Sequence, residues 1–116
     1  MSLAIRAITF DAGDPQTLSR FWSELLSWEA VMVRGEVCVR PSDGSDTPVL
    51  LFLPVPEGKT AKNRTHPDLH TDDVDTEVAR AVELGATVTA WHQQDSRWAV
   101  LQDPEGNEFC IIQPPE

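Results

Sequence analysis

His66, Asp68 and His70 occupy alternate positions, and Glu108 and Cys110 repeat that spacing closer to the other end of the chain. Strand side chains alternate between two faces, so each set shares one face of its strand. Imidazole, carboxylate and thiolate are metal ligands, and three of them with one open position make a catalytic centre. Beside such a metal Glu108 could be the carboxylate that moves a proton, and without one Cys110 could be a nucleophile with His66 or His70 as its base. Each also has a plainer reading. The histidines can be solvated cleft residues paired with Asp68 or Glu108. Cys110 can be a small buried apolar side chain. Trp91 and Trp98 lie on neighbouring strand candidates, and each could stack on a flat ligand or pack against a helix.

These groups converge only if their strands are neighbours. The run Asp103-Pro104-Glu105-Gly106 is turn chemistry, because Pro fixes its own φ and Gly accepts a positive one. Strand candidates 97–101 and 108–112 flank it, following one at 87–91. A strand over 66–71 leads to Asp73, a helix N-cap. Val74, Val78, Ala81 and Val82 then form an apolar stripe that Gly85 ends. The first half follows the same order. A strand over 4–12 puts Ile8 and Phe10 on one face and Ala7, Thr9 and Asp11 on the other. Asp14-Pro15 opens a helix whose stripe is Leu18, Phe21, Trp22, Leu25 and Leu26, with Trp28 closing its end. Strand candidates 30–33, 37–40 and 49–53 follow. Aligning Asp14 with Asp73 places Ala7 with His66, Thr9 with Asp68 and Asp11 with His70.

The expected fold is therefore α+β: two βαβββ modules forming an open, cupped mixed sheet with the helices outside. One domain spans 1–116, with module one at about 4–54, a linker at about 55–64 and module two at about 65–113. The linker carries Pro54, Pro56 and Gly58. Its Lys62 and Arg64 could hold an anionic group or simply be solvated. Asp72, Asp73 and Asp75 read as helix capping, where the macrodipole favours negative charge.

A net charge of −10 argues against phosphate-backbone binding and gives no attraction to anionic lipid, so neither nucleic acid nor membrane is expected as a partner. No apolar run approaches the roughly 20 residues of a membrane span, and residues 1–10 lack signal-peptide character. Two cysteines, Cys38 and Cys110, make no disulfide framework, so the expected location is the cytoplasm with both thiols reduced.

Four stretches resemble the vicinal oxygen chelate superfamily, in its glyoxalase-like branch. They are Phe10-Asp11-Ala12-Gly13-Asp14-Pro15, Asn63-Arg64-Thr65-His66-Pro67-Asp68-Leu69, Glu83-Leu84-Gly85-Ala86-Thr87 and the run from Asp103 to Phe109. That superfamily includes glyoxalase I, extradiol dioxygenases, and fosfomycin- and bleomycin-resistance proteins. The resemblance implies a helix-ending glycine where this chain has Ser27. It implies metal ligands on the first and last strand of each module, at Ala7, near Leu51, at His66 and at Cys110. Only His66 is of the usual type there. Cys110 stands where a carboxylate is expected, and any divalent metal site of the conventional kind is incomplete.

The expected site is the cup, with Thr9, Asp11, Asp68, His70, Trp98 and Cys110 contacting a small molecule, His66 a metal position and Glu108 a catalytic carboxylate. The leading function is small-molecule binding without the conventional metal, in the manner of the bleomycin-resistance proteins. The alternative is a metal-dependent lyase or dioxygenase-like enzyme using His66 with Glu108 or His70. A third reading is a ligand-free partner domain. A homodimer, including one that swaps modules, fits the resemblance.

Overall fold

The structure, a computed structural model, describes residues 2–115. The chain divides after Gly58 into two compact units. Their element order matches.

The first unit holds β1 (Ala7–Ala12), α1 (Pro15–Leu26), β2 (Glu29–Val33), β3 (Glu36–Arg40) and β4 (Val49–Pro54). Its mixed sheet has the order β1-β4-β3-β2, with β1 parallel to β4 and the other pairs antiparallel. Asp14 caps α1 by accepting from Thr17 N at 3.2 Å and Thr17 Oγ1 at 2.7 Å, and Pro15 fills the first helical position. The stripe expected from the sequence is the buried one: Leu18, Phe21, Trp22 and Leu25. It meets Phe10 and Phe52 from the sheet, with Phe10 5.5 Å from Trp22 and 5.2 Å from Phe52 between ring centroids. Trp22 is core, as expected. Ser27 ends the helix in the left-handed region at φ 55°, and Trp28 N donates to Ser23 O at 3.0 Å. A serine thus does the task for which the resemblance implied glycine.

The second unit holds β5 (Asp68–His70), α2 (Val74–Leu84), β6 (Thr87–Gln93), β7 (Arg97–Gln102) and β8 (Glu108–Gln113). Its order, β5-β8-β7-β6, is that of the first unit. The register repeats as well. Thr9 pairs with Leu51 in the first sheet and Asp68 with Cys110 in the second, at a common sequence offset that also relates Asp14 to Asp73. Asp73 accepts from Thr76 N at 3.1 Å and from Thr76 Oγ1 at 2.7 Å, the counterpart of the first cap. Val74, Val78 and Ala81 pack with Ala99, Leu101, Phe109 and Ile111 as the second core.

The architecture is the expected α+β one, two βαβββ modules with an open four-stranded mixed sheet in each unit. Two differences from the sequence expectation bear on the site. The first strand of the second unit is shorter than 66–71: Pro67 has no N–H for a ladder, so regular pairing begins at Asp68 and His66 precedes it. The expected linker is also ordered in part, because Lys59 and Asn63 bond to β8 and its approach.

Candidate functional site

Alternation along β8 turns Phe109 and Ile111 toward α2 and leaves Glu108, Cys110 and Ile112 on the opposite face. Cross-strand pairing extends that face. Asp68 pairs with Cys110 and His70 with Ile112. Trp98 pairs with Ile112, Val100 with Cys110, and His92 with Trp98. Asp68, His70, Cys110, Trp98 and Glu108 therefore share the helix-free face of the second sheet. His66 reaches the same side, its Nε2 3.3 Å from Asp68 Oδ1.

Three of these groups form a tight cluster. One donor atom each from His66, Asp68 and Cys110 lies within 4.8 Å of the others. His66 and Asp68 have half-exposed side chains, at 46% and 50%, whereas Cys110 is buried. Burial pushes the Cys110 thiol up, and Asp68 raises it further by its charge and by accepting the thiol's hydrogen bond; Lys62 acts weakly in the other direction. Cys110 is thus a protonated thiol at neutral pH, which opposes a standing nucleophilic role. Cys38, in the first unit, is buried and has its thiol pushed up mainly by desolvation.

Glu108 is held apart from this cluster. Its carboxylate accepts from Lys59 Nζ at 2.9 Å and from Asn63 N at 2.8 Å, with only 12% of the side chain exposed. Burial works against ionisation there, but the bonds from Lys59 and Asn63 outweigh it and keep the carboxyl below its ordinary value. His70 sits one pair further along the face, exposed and opposite Ile112.

Trp98 is half-buried, and His92 stacks on it with ring centroids 4.9 Å apart and planes 20° from parallel. Trp91, one register step away, lies on the helix side, where Arg97 covers its ring at 4.3 Å and in turn pairs with Asp75 at 2.7 Å. The two tryptophans that the sequence left equivalent are on opposite faces. Thr9 and Asp11 lie in the first unit, exposed on the helix-free face of its sheet, paired with Leu51 and Leu53.

Sequence reasoning assigned no side-chain role to Lys59, Asn63, His92 or Asp103. The signal for His92 was present: closing the hairpin across Gln94–Ser96 pairs it with Trp98. Asp103 is 3% exposed, and its Oδ1 accepts from the backbone N–H of both Glu105 and Asn107 at 2.9 Å. It organises the turn from inside, while Gly106 supplies the positive φ of 87°. The first unit also has a groove of about 330 Å³ between α1 and the β2–β3 hairpin, lined by Arg20, Ser23, Met32 and Val37 among others.

Two βαβββ units of matching register, each with one sheet face free of helix and polar groups on it, define a protein of the vicinal oxygen chelate class. The chain belongs to the glyoxalase-like domain family, whose pattern matches residues 7–112. Solved structures agree on the fold. A glyoxalase/bleomycin resistance protein/dioxygenase family enzyme from Burkholderia phytofirmans PsJN is similar at TM-score 0.79 and 18% identity, with 96% of this chain and 98% of that one covered. TnmS3, an antibiotic binding protein from Streptomyces sp. CB03234, is similar at TM-score 0.69 and 25% identity, with 98% of each chain covered. A lactoylglutathione lyase from Agrobacterium tumefaciens is similar at TM-score 0.64 and 21% identity, covering 97% of this chain and 95% of that one. No curated protein sequence matches the chain.

The residues present do not fit the superfamily's conventional metal. Ala7 and Leu51 carry no donor atom. Cys110 offers a protonated thiol where a carboxylate is expected, and Glu108 is already engaged by Lys59 and Asn63.

Proposed function

We propose that this protein binds a flat, partly polar small molecule on the helix-free face of its second sheet, without the conventional metal. The observation that carries this reading is the stacked His92–Trp98 pair beside the polar group formed by His66, Asp68 and Cys110. An aromatic platform with a few polar atoms at its edge is the usual make-up of a site for a planar ligand. His70 adds a second exposed imidazole on the same face. Similarity to an antibiotic binding protein supports binding in place of turnover. So do Ala7 and Leu51, which offer a metal nothing. Thr9 and Asp11 are further ligand contacts under this proposal. The protein works as a homodimer in the cytoplasm, taking neither nucleic acid nor membrane as a partner. Among the described residues no helix is long and apolar enough to cross a membrane.

The metal-dependent lyase or dioxygenase alternative asks Glu108 or His70 to move a proton beside His66. Glu108 is a poor base, because its two partners stabilise the ionised form and depress its proton affinity.

The test is a thermal-shift screen of planar aromatic antibiotics and aromatic acids in the presence of a chelator, followed by calorimetry on the hits. Binding raises apparent stability by mass action. A hit should bind Trp98→Ala at least about tenfold more weakly, the loss of one good aromatic contact. Equal binding to the variant, or no shift across the library, overturns the reading.

A further inference from the structure

The mismatch with the family's metal does not leave the second unit without cation chemistry. We infer that His66, Asp68 and Cys110 form a site for a thiophilic divalent cation of the zinc class, built from one module alone and distinct in donor set from the one the resemblance implies. The donors are one nitrogen, one oxygen and one sulfur. That mixture selects zinc, cadmium or cobalt over magnesium or calcium, which take oxygen shells.

The geometry is close to what such an ion requires. Zinc bonds of about 2.0–2.3 Å in a tetrahedron put neighbouring donors roughly 3.3–3.8 Å apart. His66 Nε2 and Asp68 Oδ1 are already 3.3 Å apart, and the whole set spans no more than 4.8 Å. Asp68 and Cys110 are fixed by their pairing across β5 and β8, so two of the three donors rest on a rigid frame. His66 stands just outside the strand with a half-exposed side chain. Half-exposed His66 and Asp68 leave the fourth position open to solvent or to an oxygen of the bound ligand.

Binding exchanges one proton for the ion. The thiol proton that Asp68 now accepts is released, sulfur becomes a thiolate bonded to the cation, and the Asp68 charge that opposed ionisation becomes a ligand charge. Affinity therefore rises with pH. The neighbouring donors are placed otherwise: Glu108 is held by Lys59, His70 lies one register pair further along, and His92 is stacked on Trp98. The exposed Lys62 acts weakly on the thiol in the direction of the thiolate.

The experiment is a titration of the metal-free full chain with cobalt(II), with no organic ligand present, followed by competition with zinc. The expected result is one ion per chain and a sulfur-to-cobalt charge-transfer band that zinc abolishes. The band should be absent in Cys110→Ser and retained in Cys38→Ser. Asp68→Asn, at a half-exposed position that leaves the core intact, should weaken binding at least tenfold, as should His66→Ala. Affinity should increase from pH 6 to pH 8. Lack of a charge-transfer band in the wild-type chain overturns the inference, as does a band that survives Cys110→Ser or an affinity unchanged by Asp68→Asn. The chelator-treated ligand screen and this ligand-free titration fail independently of each other.

Discussion

At the scale of single residues, the region around β8 is ordered by two carboxylates, Asp103 within its own turn and Glu108 toward a distant segment. Asp103 is the most consequential. One oxygen accepts from two backbone N–H groups, and both oxygens accept from the Asn107 amide at 2.9–3.2 Å. Removing an acceptor from a buried turn strands those donors, and each unsatisfied group costs about 1–3 kcal/mol. Asp103→Ala should therefore lower stability by roughly 2–4 kcal/mol, read as a fall in the denaturant midpoint at unchanged slope. Asp103→Asn keeps one acceptor oxygen and should cost about half as much. Equal losses would mean that charge, and not acceptor geometry, holds the turn. Glu108 plays the same part for the ordered segment before β5, tying Lys59 and Asn63 to the sheet. A carboxylate with that structural duty is spoken for, and the polar chemistry of the face passes to His66, Asp68 and Cys110.

At the scale of elements, the two helices were legible in the sequence down to their caps. Asp-x-x-Thr begins each, and the apolar stripes bury as their 3.6-residue spacing requires except at Val82, which the sequence placed on the second stripe and the structure leaves 47% exposed. The strands were legible within one to three residues, the largest miss being the start of β1 at Ala7 where alternation reached back to Ala4, because alternation and turn residues mark strands independently of tertiary context. His66 was placed inside a strand because alternation alone cannot register the missing N–H of Pro67 in a parallel pair. Lys59 and Asn63 were unreadable for a different reason. A Pro- and Gly-rich segment has no period, and its partner Glu108 lies more than forty positions away. Ser27 offers a test at this scale. A non-glycine residue at φ 55° costs about 1 kcal/mol relative to glycine. Ser27→Gly should raise stability by about 0.5–1 kcal/mol and shift the melting temperature up by a few degrees, with the Trp28-to-Ser23 backbone bond unchanged. A lower melting temperature would show that the serine hydroxyl or unfolded-state entropy outweighs the strain.

At the scale of the whole molecule, acid should act through the same few carboxylates in both units. Asp14 and Asp73 are held below their ordinary values chiefly by hydrogen bonds from the Thr17 and Thr76 side chains. Glu108 is held down, against its burial, by Lys59 and Asn63. A carboxyl whose folded pKa lies below its unfolded one contributes stability that is fully present above the unfolded value, near pH 4. That contribution is lost as pH falls through the folded value. Stability should thus be level from neutral pH down to about pH 5 and then decline through the ordinary carboxylate range and below. Over the same interval the net charge of −10 is titrated away toward the pI of about 4.5, so aggregation must be kept separate from unfolding. Denaturant melts at low protein concentration achieve that separation. Glu108→Gln removes one titrating group and should cost roughly 1–2 kcal/mol at neutral pH, because Lys59 can recover part of its hydration. Its stability should then fall less steeply with acid, so that the variant and wild-type curves converge as pH drops. Parallel curves would show that the Lys59–Glu108 pair carries no net linkage, and the acid sensitivity would then rest on the two helix caps, one in each unit.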